Sequence, residues 1–175
     1  MGTGQMMLTV GAMLLLAMTI LTVNRGFLTT DSSMMQNRYD IMSVSLATSI
    51  IEGAIQLPFD NKTDGAAVTS PSSLTSVSAL GIETGESRNL PGEFNDFDDY
   101  NCYKTNPKID TVSYSGTNRT AFFSSLIRVD YVNANDPTIV STVPTYHKRI
   151  VVKVYTPGLQ DTISMSTVYS YWYFR

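Results

Sequence analysis

Hydrophobic and polar positions divide the chain into stretches of different texture. Met6 to Val23, MMLTVGAMLLLAMTILTV, is a run of eighteen uncharged positions, and the first charged side chain of the protein is Arg25. Wound as an α-helix, such a run is about 27 Å long, enough to cross the hydrocarbon core of a bilayer. From Phe27 to Leu57 there is no proline, and Met34, Met35, Ile41, Val44, Leu46, Ile50, Ile51, Ala54 and Ile55 recur at spacings of three and four. One helix from about Gln5 to Leu57, about 80 Å long, is the simplest element this predicts. Gly26 falls where the apolar half meets the amphipathic half. Glycine costs ~1 kcal/mol in a helix interior, so a bend or melted turn is expected around residues 24–33. Pro58 ends the helix, because the residue before a proline is pushed out of the α region.

The texture changes after residue 60. Asn61-Lys-Thr-Asp-Gly65 is a turn signal, and Ser70-Pro-Ser-Ser-Leu-Thr-Ser-Val-Ser78 continues in small polar residues without helical period. Residues 61–108 therefore read as a surface-wrapping loop region. Beyond it, Ala121 to Val132, Lys148 to Tyr155 and Thr162 to Phe174 are rich in β-branched and aromatic residues. In the middle segment Arg149, Val151, Lys153 and Tyr155 alternate with Ile150, Val152 and Val154, the pattern of a half-buried antiparallel strand. Turns at Asn133-Ala-Asn-Asp-Pro137 and Thr156-Pro-Gly158 join the strands as a meander. The expected class is α+β: a long N-terminal helix, residues 1–57, packed on a β-rich head, residues 58–175, because neither apolar face can be left in water.

Three roles compete for the apolar run. A secretory signal requires a basic segment before it and small cleavage-site residues after it, whereas MGTGQ precedes and Asn24-Arg-Gly-Phe27 follows. A permanent membrane anchor tolerates Thr9, Gly11, Thr19 and Thr22. The third role is a helix that leaves the membrane to enter a polymer, and the long amphipathic continuation favours it.

The residues that carry a family likeness are the uncharged N-terminal stretch, the long helix, and the pair Ser49-Ile-Ile-Glu-Gly-Ala-Ile-Gln-Leu-Pro-Phe-Asp60 and Glu93-Phe-Asn-Asp-Phe-Asp-Asp-Tyr-Asn101. Together they resemble bacterial type IV minor pilins and pseudopilins, nearest to the minor pilins of mannose-sensitive haemagglutinin pili. The resemblance covers about the first hundred residues. It implies a structural subunit of an extracellular filament, held in the cytoplasmic membrane before assembly, with the inner membrane and a pilus assembly machinery as partners. A homo-oligomeric helical filament would have Gln5, Met6, Leu8, Leu14, Leu15, Leu16 and Ile20 in its core. The alternative is a pseudopilin or minor pilin of a secretion system, or a singly anchored surface protein with a ligand-binding head. In that family a basic leader is removed, the mature terminus is methylated, and the fifth mature residue is usually glutamate. Here Gln5 stands in that position if Met1 is the mature terminus, and Thr9 does if the mature chain begins at Gln5. With Arg25 just after the apolar run and no Lys or Arg before it, the positive-inside rule places the head in the cytoplasm. A removed basic leader reverses that, so Met1 reads as a processed terminus.

Charge and candidate chemistry refine this reading. Twelve Lys and Arg against fifteen Asp and Glu give a net charge of −3, and no basic run exceeds Lys148-Arg149, so no nucleic-acid partner is expected. The lone histidine, His147, has no second histidine or cysteine near it in sequence, and the lone Cys102 excludes an intramolecular disulfide. No catalytic residues, cofactor or enzyme activity are expected. Asp96, Asp98 and Asp99 offer oxygen ligands for Ca²⁺ but lack a full calcium loop. A solvated turn with Phe94, Phe97 and Tyr100 inserted into the core is the stronger expectation. Asn61-Lys-Thr63 and Asn118-Arg-Thr120 match the N-glycosylation triplet. Trp172 and Phe174, in an aromatic terminus with no disulfide to hold it, are candidates for a subunit contact.

Overall fold

The computed structural model describes residues 2–87, 90–101, 122–157 and 162–171. Helix α1 spans Thr3–Ile55, 53 residues, and Pro58 lies just past its end. The expected interruption is not there: the chain stays helical through Gly26 and the whole of 24–33. Threonine hydroxyls bond back along the helix. Thr19 donates to the Leu15 carbonyl at 2.8 Å, Thr22 to Met18 at 2.9 Å, Thr29 to Arg25 at 2.9 Å and Thr30 to Gly26 at 2.9 Å. Each hydroxyl is satisfied within its own helix, which is what lets threonine sit in an apolar surrounding.

The chain divides into two compact units, Met1–Tyr39 and Asp40–Arg175. Residues 40–55 of α1 therefore belong to the head. Three strands follow in the order β1-β2-β3, all antiparallel: β1 Ser124–Tyr131, β2 His147–Tyr155 and β3 Ile163–Ser170. The α+β architecture and the meander are as the sequence predicts. So is the alternation on β2, where Ile150, Val152 and Val154 are buried while Lys153 and Tyr155 are exposed.

The helix seam differs from expectation. Within residues 40–55 the buried positions are Ser43, Ala47, Ile51 and Ala54, whereas Ile41 and Val44 are exposed. Small residues allow close approach: Thr48 Oγ1 donates to Met165 Sδ of β3 at 3.9 Å, and a Cβ at Gly53 would lie 3.1 Å from the Tyr100 hydroxyl. Ile51 and Ala54 are thus buried as their spacing predicts, whereas Ser43 and Ala47 hold the seam in place of the expected Ile41 and Val44.

Between α1 and β1 the described residues 56–87 and 90–101 carry five short 3₁₀ turns. Phe59, Val68, Leu74 and Tyr131 form a core cluster, with Val77, Leu80, Tyr146, Tyr169 and Tyr171 against it. Phe59 meets Tyr169 and Tyr171 with ring centroids 5.7 and 5.8 Å apart, and Phe97 meets Tyr169 at 5.0 Å. These separations suit tilted aromatic pairs. Trp172 and Phe174 lie outside the described residues, as do Cys102 and Asn118.

Candidate functional sites: an apolar stem and a buried charge cluster

The first unit is a helical stem, exposed at residues 2–10 and 12–34. Met6, Leu8, Leu14, Leu15, Leu16 and Ile20, all proposed for a filament core, are 59–76% exposed, and Met7 reaches 80%. Gln5 is exposed beside them. Within α1 lies a segment long and apolar enough to cross a membrane, none of it buried within the chain. Fully burying one such side chain contributes about 1.5–3 kcal/mol, so a continuous apolar surface of this length demands a non-aqueous partner.

The head holds an unusual core residue. Lys148 shares the inward face of β2 with Ile150, Val152 and Val154, and its side chain is fully buried. Its ammonium group has three protons and donates to three acceptors: the Phe59 carbonyl at 2.7 Å, Asp60 Oδ2 at 2.9 Å and Asp98 Oδ1. The rings of Phe59 and Tyr131 lie 4.6 and 5.2 Å from it. One lysine thereby ties the segment just after α1 to the acidic turn and to β2. The Phe97 amide reinforces the junction by donating to the Pro58 carbonyl at 2.9 Å.

The two carboxylates of this triad differ. Asp60 also accepts from the Lys62 amide, from the Thr75 amide and hydroxyl, and from the Tyr131 hydroxyl. Burial raises its pKa, but Lys148 and these donors outweigh burial and hold Asp60 below the usual carboxylate range. Asp98 has Lys148 and the distant Gly81 amide, at 3.4 Å, and there burial wins and pushes the carboxyl up. Asp60 is thus the carboxylate more strongly held in its charged form, and both acids remain paired with Lys148. Burial and the neighbouring Asp60 also push the Tyr131 phenol up.

The acidic turn is not solvated, contrary to expectation. Phe94, Phe97 and Tyr100 are buried as predicted, but Asp96, Asp98 and Asp99 are fully buried too. The turn is built by its own carboxylates, as Asp96 Oδ1 accepts from the Asp98 and Asp99 amides and Asp99 Oδ2 from the Asn95 and Asp96 amides. The structure does not bring Asp96, Asp98 and Asp99 together as one ligand set. Asp98 is committed to Lys148, whereas Asp99 meets Glu83 and Glu86, with one oxygen from each within 4.8 Å of the others. Glu83 and Glu86 carry no sequence signal for this. Two residues with positive φ, Gly81 at +128° and Gly85 at +110°, bend the loop that delivers them.

Crowding of these acids has an electrostatic cost. Burial and the charges of Asp99, Glu86 and Asp98 push Glu83 up to about 7, against a hydrogen bond from Asn61. Burial and the charges of Asp98, Asp99 and Glu83 push Asp96 up to about 8, against the pull of Lys148. Between about pH 4, where unfolded carboxyls titrate, and these raised values, the folded head holds protons that the unfolded chain releases. Stability from these two groups is therefore complete below the unfolded value and is lost as pH rises through about 7 to 8. Asp60 acts in the opposite sense, being stabilising above its unfolded value and failing as pH falls through its lowered one. In metal-free buffer the melting temperature of the head, followed by circular dichroism, is expected to fall from pH 5 to pH 8; a rise over that interval would contradict this assignment.

The remaining predicted residues fall as follows. Asn61 is half-buried, and its triplet partner Thr63 forms a capping box with Asp60. His147 begins β2, half-buried, with Nδ1 2.7 Å from Ser170 Oγ. Sequence reasoning missed Lys148 as a core residue, although it keeps step with Ile150, Val152 and Val154 in a period of two.

Fold and sites together define a class: an α+β protein with an N-terminal helix long and apolar enough to anchor in a membrane, and a small antiparallel head built on a buried ion-pair junction. Comparison with family models finds no match, and neither do comparisons with curated proteins and with solved structures.

Proposed function

We propose that the chain is the structural subunit of an extracellular type IV pilus-like filament, anchored in the cytoplasmic membrane by its stem before assembly and polymerised through it afterwards. The observation that carries this reading is the stem: a helical surface from Met6 to Leu28 whose large apolar side chains are all at least half exposed. Neighbouring stems can cover such a surface completely outside a membrane, since apolar helices pack on one another around a common axis. Apolar exposure continues past the bilayer-length run at Phe27, Leu28, Met34, Ile41 and Val44, which a simple membrane span does not require. The likeness of the helix, the Leu57-Pro-Phe-Asp60 segment and the Phe97-Asp-Asp-Tyr100 segment to minor pilins supports the same conclusion. The head then forms the outer surface of the filament.

Material sheared from cells that make this protein is expected to contain long thin fibres whose main component, by mass spectrometry and antibody labelling, is this chain. Retention of the whole population in the cell envelope, with no fibres released, would instead identify a singly anchored surface protein.

A further inference from the structure

Glu83, Glu86 and Asp99 converge from two loop segments, and one carboxylate oxygen from each lies within 4.8 Å of the other two. Hydrogen bonds within the fold account for only part of their capacity. Glu86 accepts from the Glu83 amide and the Asn95 side chain, and Asp99 Oδ2 accepts from two amides. Asp99 is nevertheless fully buried with its Oδ1 unpartnered, and Glu83 Oε2 is buried and unpartnered as well. Asp96, at which the charges of Asp99 and Glu83 are felt, adds a third such atom, Oδ2, on another fully buried side chain. A buried acceptor without a donor costs about 1–3 kcal/mol, and more when charged, so three within one neighbourhood call for a common donor or cation. Lys148 does not serve, because its three protons go to Phe59, Asp60 and Asp98.

We infer that Glu83, Glu86 and Asp99 form a divalent-cation site of the calcium class, with the Asp96 carboxylate beside it. Among the described residues the donors are all hard oxygens, a set that suits a hard cation better than zinc or copper. Ca²⁺ suits carboxylates offered by loops, because it accepts irregular geometry and a large coordination number, whereas Mg²⁺ demands a near-ideal octahedron and sheds water reluctantly. The bound ion takes the place of protons on the crowded acids and clamps the loop carrying Glu83 and Glu86 to the turn carrying Asp99. Asp98, which follows Asp96 in that turn, is then held in position for Lys148.

The experiment uses the full chain in detergent micelles at neutral pH. It measures calcium binding by calorimetry, and melting with and without CaCl₂ against NaCl of matched ionic strength. At calcium about 100-fold above Kd the melting temperature is expected to rise by about 5–10 °C, with Mg²⁺ giving a smaller shift. Glu83→Gln/Glu86→Gln, which removes two charges from half-buried positions, is expected to remain folded and to lose both the heat of binding and the shift. Asp99→Asn is expected to do the same but to be less stable from the start. The inference is overturned by a folded wild type that takes up no calcium at millimolar concentration, by a double variant that responds as the wild type does, or by an equal response to NaCl, which would mark general screening.

Discussion

Replacing Lys148 with alanine is expected to destabilise the head by about 3–5 kcal/mol, because it removes the shared cation and leaves Asp60 and Asp98 buried without it. For a domain of this size that corresponds to a fall in melting temperature of roughly 10 °C or more. Lys148→Met, which keeps most of the stem volume, should behave similarly, since the loss is electrostatic rather than a cavity. The two acids should not be equivalent. Asp60 organises donors from Lys62, Thr75, Tyr131 and Lys148, and it is held ionised, so Asp60→Asn should cost more than Asp98→Asn. Thermal or urea unfolding of the four single variants measures this order. A Lys148→Ala head as stable as the wild type would mean that the buried triad contributes nothing to the fold.

The second large effect concerns assembly. Leu15→Asp places a carboxylate in the middle of the apolar stem, which costs about 2.5–3.5 kcal/mol for membrane insertion and is felt again at every packed stem in a polymer. Fibre yield in sheared material is expected to drop by about 100-fold or more, as 1.4 kcal/mol corresponds to a factor of ten. Gln5→Ala removes only an uncharged amide from an exposed position, and fibre yield should stay close to the wild type. Equal loss of fibres in both variants would show that a polar interaction at position 5, and not apolar packing, governs polymerisation.

Much of the architecture is legible in the sequence because it depends on periodicity and punctuation. The uncharged run, the absence of proline before Pro58 and the alternation in Arg149–Tyr155 correspond to α1 and β2. The interior of the head is less legible, for a shared physical reason. Composition rules place large apolar residues inside and charges outside, and here both rules are broken by specific partnerships. Ser43 and Ala47 take the helix seam in place of Ile41 and Val44 because the approach is close. Lys148 and three consecutive-turn aspartates enter the core because hydrogen bonds and opposite charge receive them. Asp96, Asp98 and Asp99 look like one ligand set in sequence. Their assignment to two different partners, Lys148 for one and the Glu83–Glu86 loop for another, depends on contacts across residues 81 to 148 that no local pattern records.

The central claim is that the exposed apolar stem exists to be covered by other copies of itself. It is tested most directly by removing detergent from the purified full-length chain and following the product by sedimentation and electron microscopy, with the chain lacking residues 1–25 in parallel. The account predicts that the full-length chain polymerises into fibres of uniform diameter with the stems inside, while the truncated chain, relieved of Met6 to Val23, remains a soluble monomer. A full-length chain that stays monomeric and soluble without detergent would contradict it.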